Sequence, residues 1–269
     1  MIPKRGCCKL AQMLAPGTRL FLLTLFAAFL LRGQPHEIFL LIGQSNMAGR
    51  GVVEEQDRQP IPRVFVLNKA MEWAPAVDPV HFDKPDIAGV GLARSFGRVL
   101  AAADPNASIG LVPAAFGGTS LEEWKPGGKL YEEAVRRAKF AMRSGKLRGI
   151  LWHQGEADAG KQELASSYRQ RFSAMIAQLR ADLGEPGAPV VVGQLGEFLS
   201  EGATPRNPFA SVVDEQLAMV PLTVPHSAFV SSNGLTSNPD HLHFDARSQR
   251  EFGRRYALAF LSVDGSWAR

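Results

Sequence analysis

The sequence predicts an α/β domain, a three-layer sandwich in which a central parallel sheet carries helices on both faces. Two observations lead to this prediction. Apolar runs of strand length recur along the chain and are rich in β-branched residues, as in strands buried on both faces. Stretches with the apolar spacing of amphipathic helices separate most of these runs, and strands that alternate with helices are typical of parallel sheets.

The first predicted strand covers Glu37 to Ile42 and ends at Gly43, where the chain is expected to turn sharply. Its residues form a continuous apolar run after the initial glutamate. Four later runs are predicted as strands on the same grounds, at 64–67, 109–115, 149–152 and 189–193.

The predicted helices show apolar residues on one stripe. In the helix over 91–103, this stripe contains Leu92, Phe96, Val99 and Leu100, and Asp104-Pro105 ends it. Similar periodicity predicts helices over 130–142, 164–183 and 246–261.

Two segments have no clear period, 72–90 and 197–208, and each contains proline. Irregular segments of this length are commonly binding loops or lids, but they are also found as surface excursions. The sequence leaves both interpretations open.

The beginning of the chain differs from the remainder. Residues 1–34 contain five basic side chains and no acidic ones, and an apolar run covers Leu20 to Leu31. This layout is typical of a secretory signal peptide. We therefore expect residues 1–34 to be a signal peptide or N-terminal leader, and residues 35–269 to form a single secreted or periplasmic domain. The apolar run is shorter than the about 20 residues of a membrane span, but no clear cleavage pattern follows it, so an uncleaved anchor stays open.

Charge and cysteine content exclude several functions for the expected domain. The chain has 30 basic and 26 acidic residues, so without the five leader cations 25 basic residues face 26 acidic ones. A balance near neutrality does not indicate a nucleic-acid partner. Both cysteines, Cys7 and Cys8, lie in the leader. We expect no disulfide, no thiol nucleophile and no metal site with thiolate ligands.

The serine that follows the first strand is a candidate nucleophile. Ser45 lies two residues after Gly43, at the edge of the sheet where open α/β folds bind their ligands. It could also serve as the cap of a following helix, a common role for serine. The local motif leaves these two interpretations open.

A base and an orienting carboxylate for this serine are available near the C-terminus. Asp240 and His243 are three residues apart, before the last predicted helix, and this spacing can place both on one side of a turn. Nucleophilic serine catalysis requires such a pair. His241 is the competing base, and Asp245 the competing carboxylate or helix cap. A polar loop without catalytic function is the remaining alternative.

Two further strand ends offer donors for an oxyanion. Gly117 and Gly118 follow the third strand, where glycine allows backbone to approach a ligand closely. Gln154 follows the fourth strand and has a neutral amide donor. An ordinary glycine turn and a structural amide are the alternatives.

Together these blocks resemble the SGNH (GDSL-like) hydrolase superfamily, whose domain has a flavodoxin-like sandwich. More narrowly, they resemble its sialate O-acetylesterase-like group, which includes the acetylxylan esterases of carbohydrate esterase family six. The similar blocks occur in the family's order from residue 38 to 245 and are Gly43 to Gly49, Gly117 to Thr119, Trp152 to Asp158, and Asp240-x-x-His243.

The resemblance implies a catalytic triad of Ser45, His243 and Asp240. It implies an oxyanion hole formed by the N–H of Ser45, the N–H of Gly118 (or Gly117) and Gln154, which stands where many members have asparagine. No metal or organic cofactor is implied. Residues expected to contact substrate at the rim are Gln44, Asn46, Gly117, Glu156 and Trp124, although tryptophans such as Trp73 and Trp124 are more often packing residues.

The expected function is that of a serine esterase removing acetyl groups from carbohydrate, of the acetylxylan or sialic-acid type. The expected partner is the acetylated carbohydrate, with no stable membrane partner unless the leader is uncleaved. An α/β-hydrolase elbow would need glycine two residues after the serine, where Met47 stands. The remaining alternatives are an SGNH esterase or lipase acting on lipid or other small esters, and a non-catalytic carbohydrate-binding protein.

Overall fold

The computed structural model describes residues 35–200, 207–265 and 267. These residues form a seven-stranded sheet of order β3-β2-β4-β1-β5-β6-β7. Neighbouring strands run parallel, except that β3 is antiparallel to β2. The strands are β1 (Glu37–Gly43), β2 (Val64–Leu67), β3 (Trp73–Pro75), β4 (Ile109–Pro113), β5 (Lys146–His153), β6 (Val190–Gly193) and β7 (Ser227–Val230).

The described helices are α1 (Ser45–Ala48), α2 (Glu55–Arg58), α3 (Ala93–Ala103), α4 (Lys129–Ala141), α5 (Gln162–Ser166), α6 (Tyr168–Leu183), α7 (Ala210–Ala218) and α8 (Ala246–Val263). The chain also forms short 3₁₀ turns at Leu121–Trp124, Asp158–Gly160, Glu197–Ser200 and Val220–Leu222. None of the helices in the described part of the chain has the length and apolar character needed to cross a membrane.

The sheet is covered on both faces, with β1 at its centre. On one face, the ring of Phe39 makes edge contacts with Phe96 of α3 and Phe260 of α8, with centroids 4.9 and 5.0 Å apart. On the other face, the indole of Trp152 packs against Phe172 of α6. Burial on both faces explains why β1 is a continuous apolar run rather than an alternating one.

The predicted fold class is confirmed by this three-layer arrangement. All five predicted strands are present, although β4 ends at Pro113 and β5 is longer than predicted at both ends. The predicted helix over 164–183 consists of two helices that meet at Ser167. The short edge strands β3 and β7 and the helix α7 were not predicted. The expected leader lies outside the described residues.

Candidate active site

Ser45 is presented by a turn that only glycine allows. Gly43 has a φ of 134°, and a Cβ on it would lie 2.1 Å from the carbonyl oxygen of His153 on the neighbouring strand. The chain therefore leaves β1 abruptly, and Ser45 is the first residue of α1. Gln44 occupies the cap position, and no side chain caps this helix. The alternative role of Ser45 as a helix cap is thus not realised.

The side chains of Ser45, His243 and Asp240 form a continuous chain of hydrogen bonds. The hydroxyl oxygen of Ser45 lies 3.0 Å from Nε2 of His243. Nδ1 of the same ring lies 2.6 Å from Oδ2 of Asp240. The structure thus brings together the three residues of the predicted triad, although they come from opposite ends of the domain, and the geometry is the one that nucleophilic serine catalysis requires.

Asp240 is held by the loop that it belongs to. Its Oδ1 accepts the backbone N–H groups of Leu242 at 2.9 Å and His243 at 3.0 Å. Partial burial raises the pKa of this carboxyl, but the hydrogen bonds from His243 and Leu242 outweigh burial and lower it below the usual value. Asp240 is therefore ionised at neutral pH and fixes the orientation of the imidazole.

The competing residues of this loop have other positions. Asp245 is the N-cap of α8, since its Oδ1 accepts the backbone N–H of Ser248 at 2.8 Å. His241 is exposed and has a φ of 51°. Neither residue makes a hydrogen bond to Ser45, so among the candidates from the sequence only His243 is hydrogen-bonded to Ser45, and Asp240 to His243.

Asn46 is a support for the histidine loop rather than a contact for substrate. Its side chain is 1% exposed. It donates to the carbonyl of Leu242 at 3.1 Å and to Oε1 of Glu156 at 2.6 Å, and its Oδ1 accepts the N–H of Phe244 at 3.0 Å. Glu156 is equally buried. The predicted substrate contacts of Asn46 and Glu156 are therefore wrong, because both side chains are used within the protein.

Two backbone N–H groups are available near the serine hydroxyl. Ser45 begins α1, and the first N–H groups of a helix have no intrahelical acceptor. Gly118 has a φ of 84°, and its N–H has no hydrogen-bond partner among the described residues. The N–H of Gly117 is occupied, because it donates to Oδ2 of Asp83 at 2.9 Å. This excludes Gly117 as the alternative donor and leaves Gly118.

The double-glycine turn lies directly against the serine. A Cβ on Gly117 would be 3.3 Å from the Cβ of Ser45. Such a Cβ would lie even closer to Nη2 of Arg50, at 2.6 Å, so the buried arginine and the serine together leave room only for glycine at this position.

The amide of Gln154 is hydrogen-bonded within the protein. The side chain is fully buried, and its Oε1 accepts the hydroxyl of Tyr168 at 2.7 Å. Its Nε2 donates to Oδ2 of Asp158 at 2.7 Å, the carbonyl of Thr119 at 3.0 Å and Oε1 of Gln44 at 3.3 Å. In this arrangement the donors of Gln154 are directed into the protein, and its contact with an oxyanion stays a prediction.

The rim predictions for Gln44 and Trp124 are also wrong. Gln44 is buried, and its Oε1 accepts the backbone N–H of Ala157 at 3.3 Å as well as the amide of Gln154. Trp124 is 1% exposed; its ring packs edge-on against Trp152 and its Nε1 donates to the hydroxyl of Thr119 at 3.1 Å. A buried indole offers no face for a sugar ring.

Sequence reasoning missed a buried ion pair beside the serine. Nη2 of Arg50 lies 2.7 Å from Oδ2 of Asp83, and both side chains are almost completely buried. The two residues come from the segment after α1 and from the irregular 72–90 segment. The sequence contained one indication, a long segment without periodicity at 72–90, and this did not show which of its residues would lie beside the serine.

Comparison with known proteins places this arrangement in a family. The family model described as carbohydrate esterase, sialic acid-specific acetylesterase, matches residues 35–262. The chain belongs to this carbohydrate esterase family. A probable carbohydrate esterase from Arabidopsis thaliana is 31% identical over 250 residues, covering 85% of this chain and 91% of the relative.

Solved structures show the same fold as this carbohydrate esterase. The X-ray structure of the Arabidopsis protein has a TM-score of 0.76 at 30% identity and covers 85% of this chain and 98% of its own. NanS has a TM-score of 0.68 at 19% identity, covering 85% and 97%. A carbohydrate acetylesterase from Xanthomonas citri has a TM-score of 0.64 at 21% identity, covering 84% and 56%.

Proposed function

We propose that this carbohydrate esterase removes O-acetyl groups from sugars through an acyl-enzyme on Ser45. The observation that carries the proposal is the hydrogen-bond chain from Ser45 through His243 to Asp240. Membership of a family of acetylesterases supports acetyl as the acyl group.

Acylation begins when the Ser45 oxygen attacks the ester carbonyl. Nε2 of His243 takes the hydroxyl proton, and Asp240 stabilises the imidazolium that forms. The negative charge moves to the carbonyl oxygen, which accepts the N–H groups of Ser45 and Gly118. The tetrahedral intermediate then collapses as His243 gives the proton to the leaving sugar oxygen, and acetyl remains on Ser45.

Deacylation repeats these steps with water as the nucleophile. His243 takes a proton from water while the water oxygen attacks the acetyl carbonyl, and the same two N–H groups stabilise the second intermediate. The proton returns to the Ser45 oxygen, and acetate leaves. For both half-reactions, Nε2 must be the unprotonated nitrogen, and the hydrogen bond from Nδ1–H to Asp240 selects this tautomer.

Hydrolysis of p-nitrophenyl acetate by the wild type and by Ser45→Ala tests the nucleophile. We expect the variant to lose about three orders of magnitude or more in kcat, as in other serine hydrolases without their nucleophile. Ser262→Ala is a matched control, because this serine lies exposed near the end of α8 and bonds only to the carbonyl of Ala259. Equal rates for wild type and Ser45→Ala would refute the proposal.

The choice of substrate needs two further measurements. A series of p-nitrophenyl esters from acetate to octanoate separates the acetylesterase from an enzyme acting on lipid, since a preference for long chains contradicts acetyl specificity. Acetate release from acetylated xylan and from acetylated sialic acid then compares the two carbohydrate classes. Saturable binding of both without acetate release would instead indicate a non-catalytic carbohydrate-binding protein.

We also propose that the protein is secreted or periplasmic. The five basic residues and the apolar run of residues 1–34 support this proposal. Mass measurement of the protein recovered after expression of the full chain tests it. Loss of the leader is expected, whereas a full-length chain in the membrane fraction would indicate an anchor.

A further inference from the structure

Glu156 is a buried carboxylate that the proposed reaction does not use directly. It lies just after β5 and is 2% exposed. Burial raises the pKa of this carboxyl, but the influence of His153 and Asn46 outweighs burial and lowers the pKa below its usual value, so the group is ionised at neutral pH. Its Oε2 has no hydrogen-bond partner in the described part of the chain. Such a group is costly in a protein interior, and costs of this kind are commonly found at functional sites.

The other carboxylate oxygen is bound to the side chain that follows the nucleophile. Oε1 of Glu156 accepts a hydrogen bond from Nδ2 of Asn46 at 2.6 Å. Hydrogen bonds to an ionised acceptor are short and roughly twice as strong as neutral ones. Nε2 of His153 lies 3.7 Å from the same oxygen, which is beyond hydrogen-bond distance. The amide of Asn46 is therefore the group that this carboxylate holds.

The backbone of Glu156 is fixed on both sides of the carboxylate. Its carbonyl accepts a hydrogen bond from Nδ2 of Asn207, and the next N–H, that of Ala157, donates to Oε1 of Gln44 at 3.3 Å. The side chains of Asn207 and Gln44 are themselves buried. A side chain on a backbone that is held in this way can hold its own partner in one position.

The amide of Asn46 connects the two halves of the catalytic geometry. Asn46 follows Ser45 in α1. Its Nδ2 donates to the carbonyl of Leu242 at 3.1 Å, and its Oδ1 accepts the N–H of Phe244 at 3.0 Å. These two residues flank His243. One side chain thus joins the backbone of the nucleophile to the backbone on both sides of the base, and the 3.0 Å distance between Ser45 and His243 depends on where this amide lies.

We propose that Glu156 is a positioning residue, which holds the amide of Asn46 and through it sets the distance between Ser45 and His243. The property required of this side chain is its reach rather than its charge, because a neutral amide oxygen can also accept a hydrogen bond from Asn46. The effect on catalysis rests on the proposed function, whereas the effect on the distance does not.

Two substitutions separate the reach of Glu156 from its charge, with p-nitrophenyl acetate kinetics per folded protein as the measurement. Glu156→Asp keeps the charge but withdraws the carboxylate by one methylene. It should lower kcat about ten- to a hundredfold with little change in KM, because a displacement of about 1 Å near reacting atoms has this effect. Glu156→Gln keeps the reach, and its kcat should stay within about fivefold of the wild type.

Glu163→Asp is the matched control, because Glu163 is exposed on α5, and it should behave as the wild type. A Glu156→Asp enzyme with the kcat of the wild type would overturn the proposal. A Glu156→Gln enzyme as impaired as Glu156→Asp would also overturn it, because the charge rather than the reach would then be the property required.

A double-variant cycle tests whether Glu156 acts through Asn46. In the Asn46→Ala background, Glu156→Asp should lower kcat by less than about twofold, since the group that transmits its effect is absent. The same loss in both backgrounds would overturn the proposal, because an independent structural role gives additive effects. If Glu156→Asp does not fold, Glu156→Gln decides. Its amide oxygen must then accept the hydrogen bond from Asn46 in a crystal structure, and a loss of kcat beyond about fivefold contradicts the proposal.

Crystal structures of the wild type and of Glu156→Asp give a readout that does not need turnover. The distance between the hydroxyl oxygen of Ser45 and Nε2 of His243 should increase from 3.0 Å to more than about 3.5 Å, which is beyond hydrogen-bond range. An unchanged distance would overturn the proposal. An inactive wild type in which the substitution has this effect would refute only the proposed function, and an active wild type in which it does not would refute only this inference.

Discussion

The carboxylate of Asp83 connects the double-glycine turn to a buried arginine. Its Oδ2 accepts the N–H of Gly117 at 2.9 Å and lies 2.7 Å from Nη2 of Arg50. Burial raises the pKa of Asp83, but the hydrogen bonds from Arg50 and Gly117 outweigh burial and hold the pKa below its usual value. The carboxyl is therefore ionised at neutral pH. Gly117 also lies against Ser45. Asp83 thus fixes the position of the turn relative to the serine and leaves the next N–H, that of Gly118, unoccupied.

Asp83→Asn should therefore reduce kcat with little change in KM. Asparagine has the same shape as aspartate, but its amide cannot form the ion pair with Arg50, and its NH₂ group would face the donors Arg50 and Gly117. We therefore expect the turn to shift. A displacement of about 1 Å near reacting atoms reduces rates by about a hundredfold, and we expect a loss of ten- to a hundredfold. The measurement is the kinetics of p-nitrophenyl acetate hydrolysis.

Asp86→Asn is the matched control for this variant, because Asp86 lies on the same segment but is exposed. It should behave as the wild type. An Asp83→Asn enzyme with an unchanged kcat would show that the turn does not depend on this carboxylate.

Asn46→Ala should weaken both the fold and the catalytic geometry. Removal of its amide leaves the N–H of Phe244 without an acceptor, and the carboxylate of Glu156 keeps only the more distant Nε2 of His153, at 3.7 Å, as a buried side-chain partner. A buried group left unsatisfied costs about 1–3 kcal/mol. We expect a lower midpoint in thermal unfolding and a kcat reduced by about tenfold or more, since the loop that holds His243 loses its support. Asn233→Ala, at an exposed position, should change neither quantity.

The three members of the hydrogen-bond chain could be identified from the sequence because their cues are local. Ser45 follows a strand that ends in glycine, and Asp240 and His243 are three residues apart, so each motif is visible within a few positions. The contact between the two motifs could be seen only in the folded structure. The predicted parallel sheet was consistent with such a contact, because it places the ends of its strands at one edge.

The hydrogen-bond partners of Gln154 could not be predicted in the same way. Its position after β5 was correctly recognised, but the direction of its amide depends on Asp158 and Tyr168, which fold back onto it. Asp83 was missed for a related reason, since its contact with Gly117 joins segments 34 residues apart and the segment that carries it has no periodicity. The direction of a side chain at a strand end is set by packing against residues distant in the sequence, so a local sequence pattern does not predict it.

The buried carboxyl of Asp214 should make the stability of the domain depend on pH. Burial raises the pKa of this carboxyl from 3.8 to about 7, despite the hydrogen bond that it accepts from the N–H of Leu195. A folded pKa above the unfolded value means that the folded state holds the proton more tightly. The contribution of Asp214 to the free energy of unfolding therefore falls as pH rises from about 4 to about 7 and is constant above that range.

Asp214→Asn removes this titration and keeps the acceptor for Leu195. Chemical denaturation across pH 4–8 should show a smaller loss of stability in the variant than in the wild type, by no more than about 4 kcal/mol for a pKa change of this size. Asp86→Asn should reproduce the wild-type profile. Parallel pH profiles for wild type and Asp214→Asn would mean that Asp214 is ionised in the folded protein throughout.

Gln154→Leu distinguishes a structural amide from an oxyanion donor. Because Nε2 is directed toward Asp158 and Thr119, its removal leaves a buried carboxylate oxygen with fewer donors, and we expect a loss of about 1–3 kcal/mol in the free energy of unfolding. The kcat of the folded fraction should then change by less than about tenfold. Loss of an oxyanion donor would instead lower kcat by about a hundred- to a thousandfold. Kinetics and denaturation on the same preparation separate the outcomes, and a large loss of kcat at unchanged stability would restore Gln154 to the oxyanion hole.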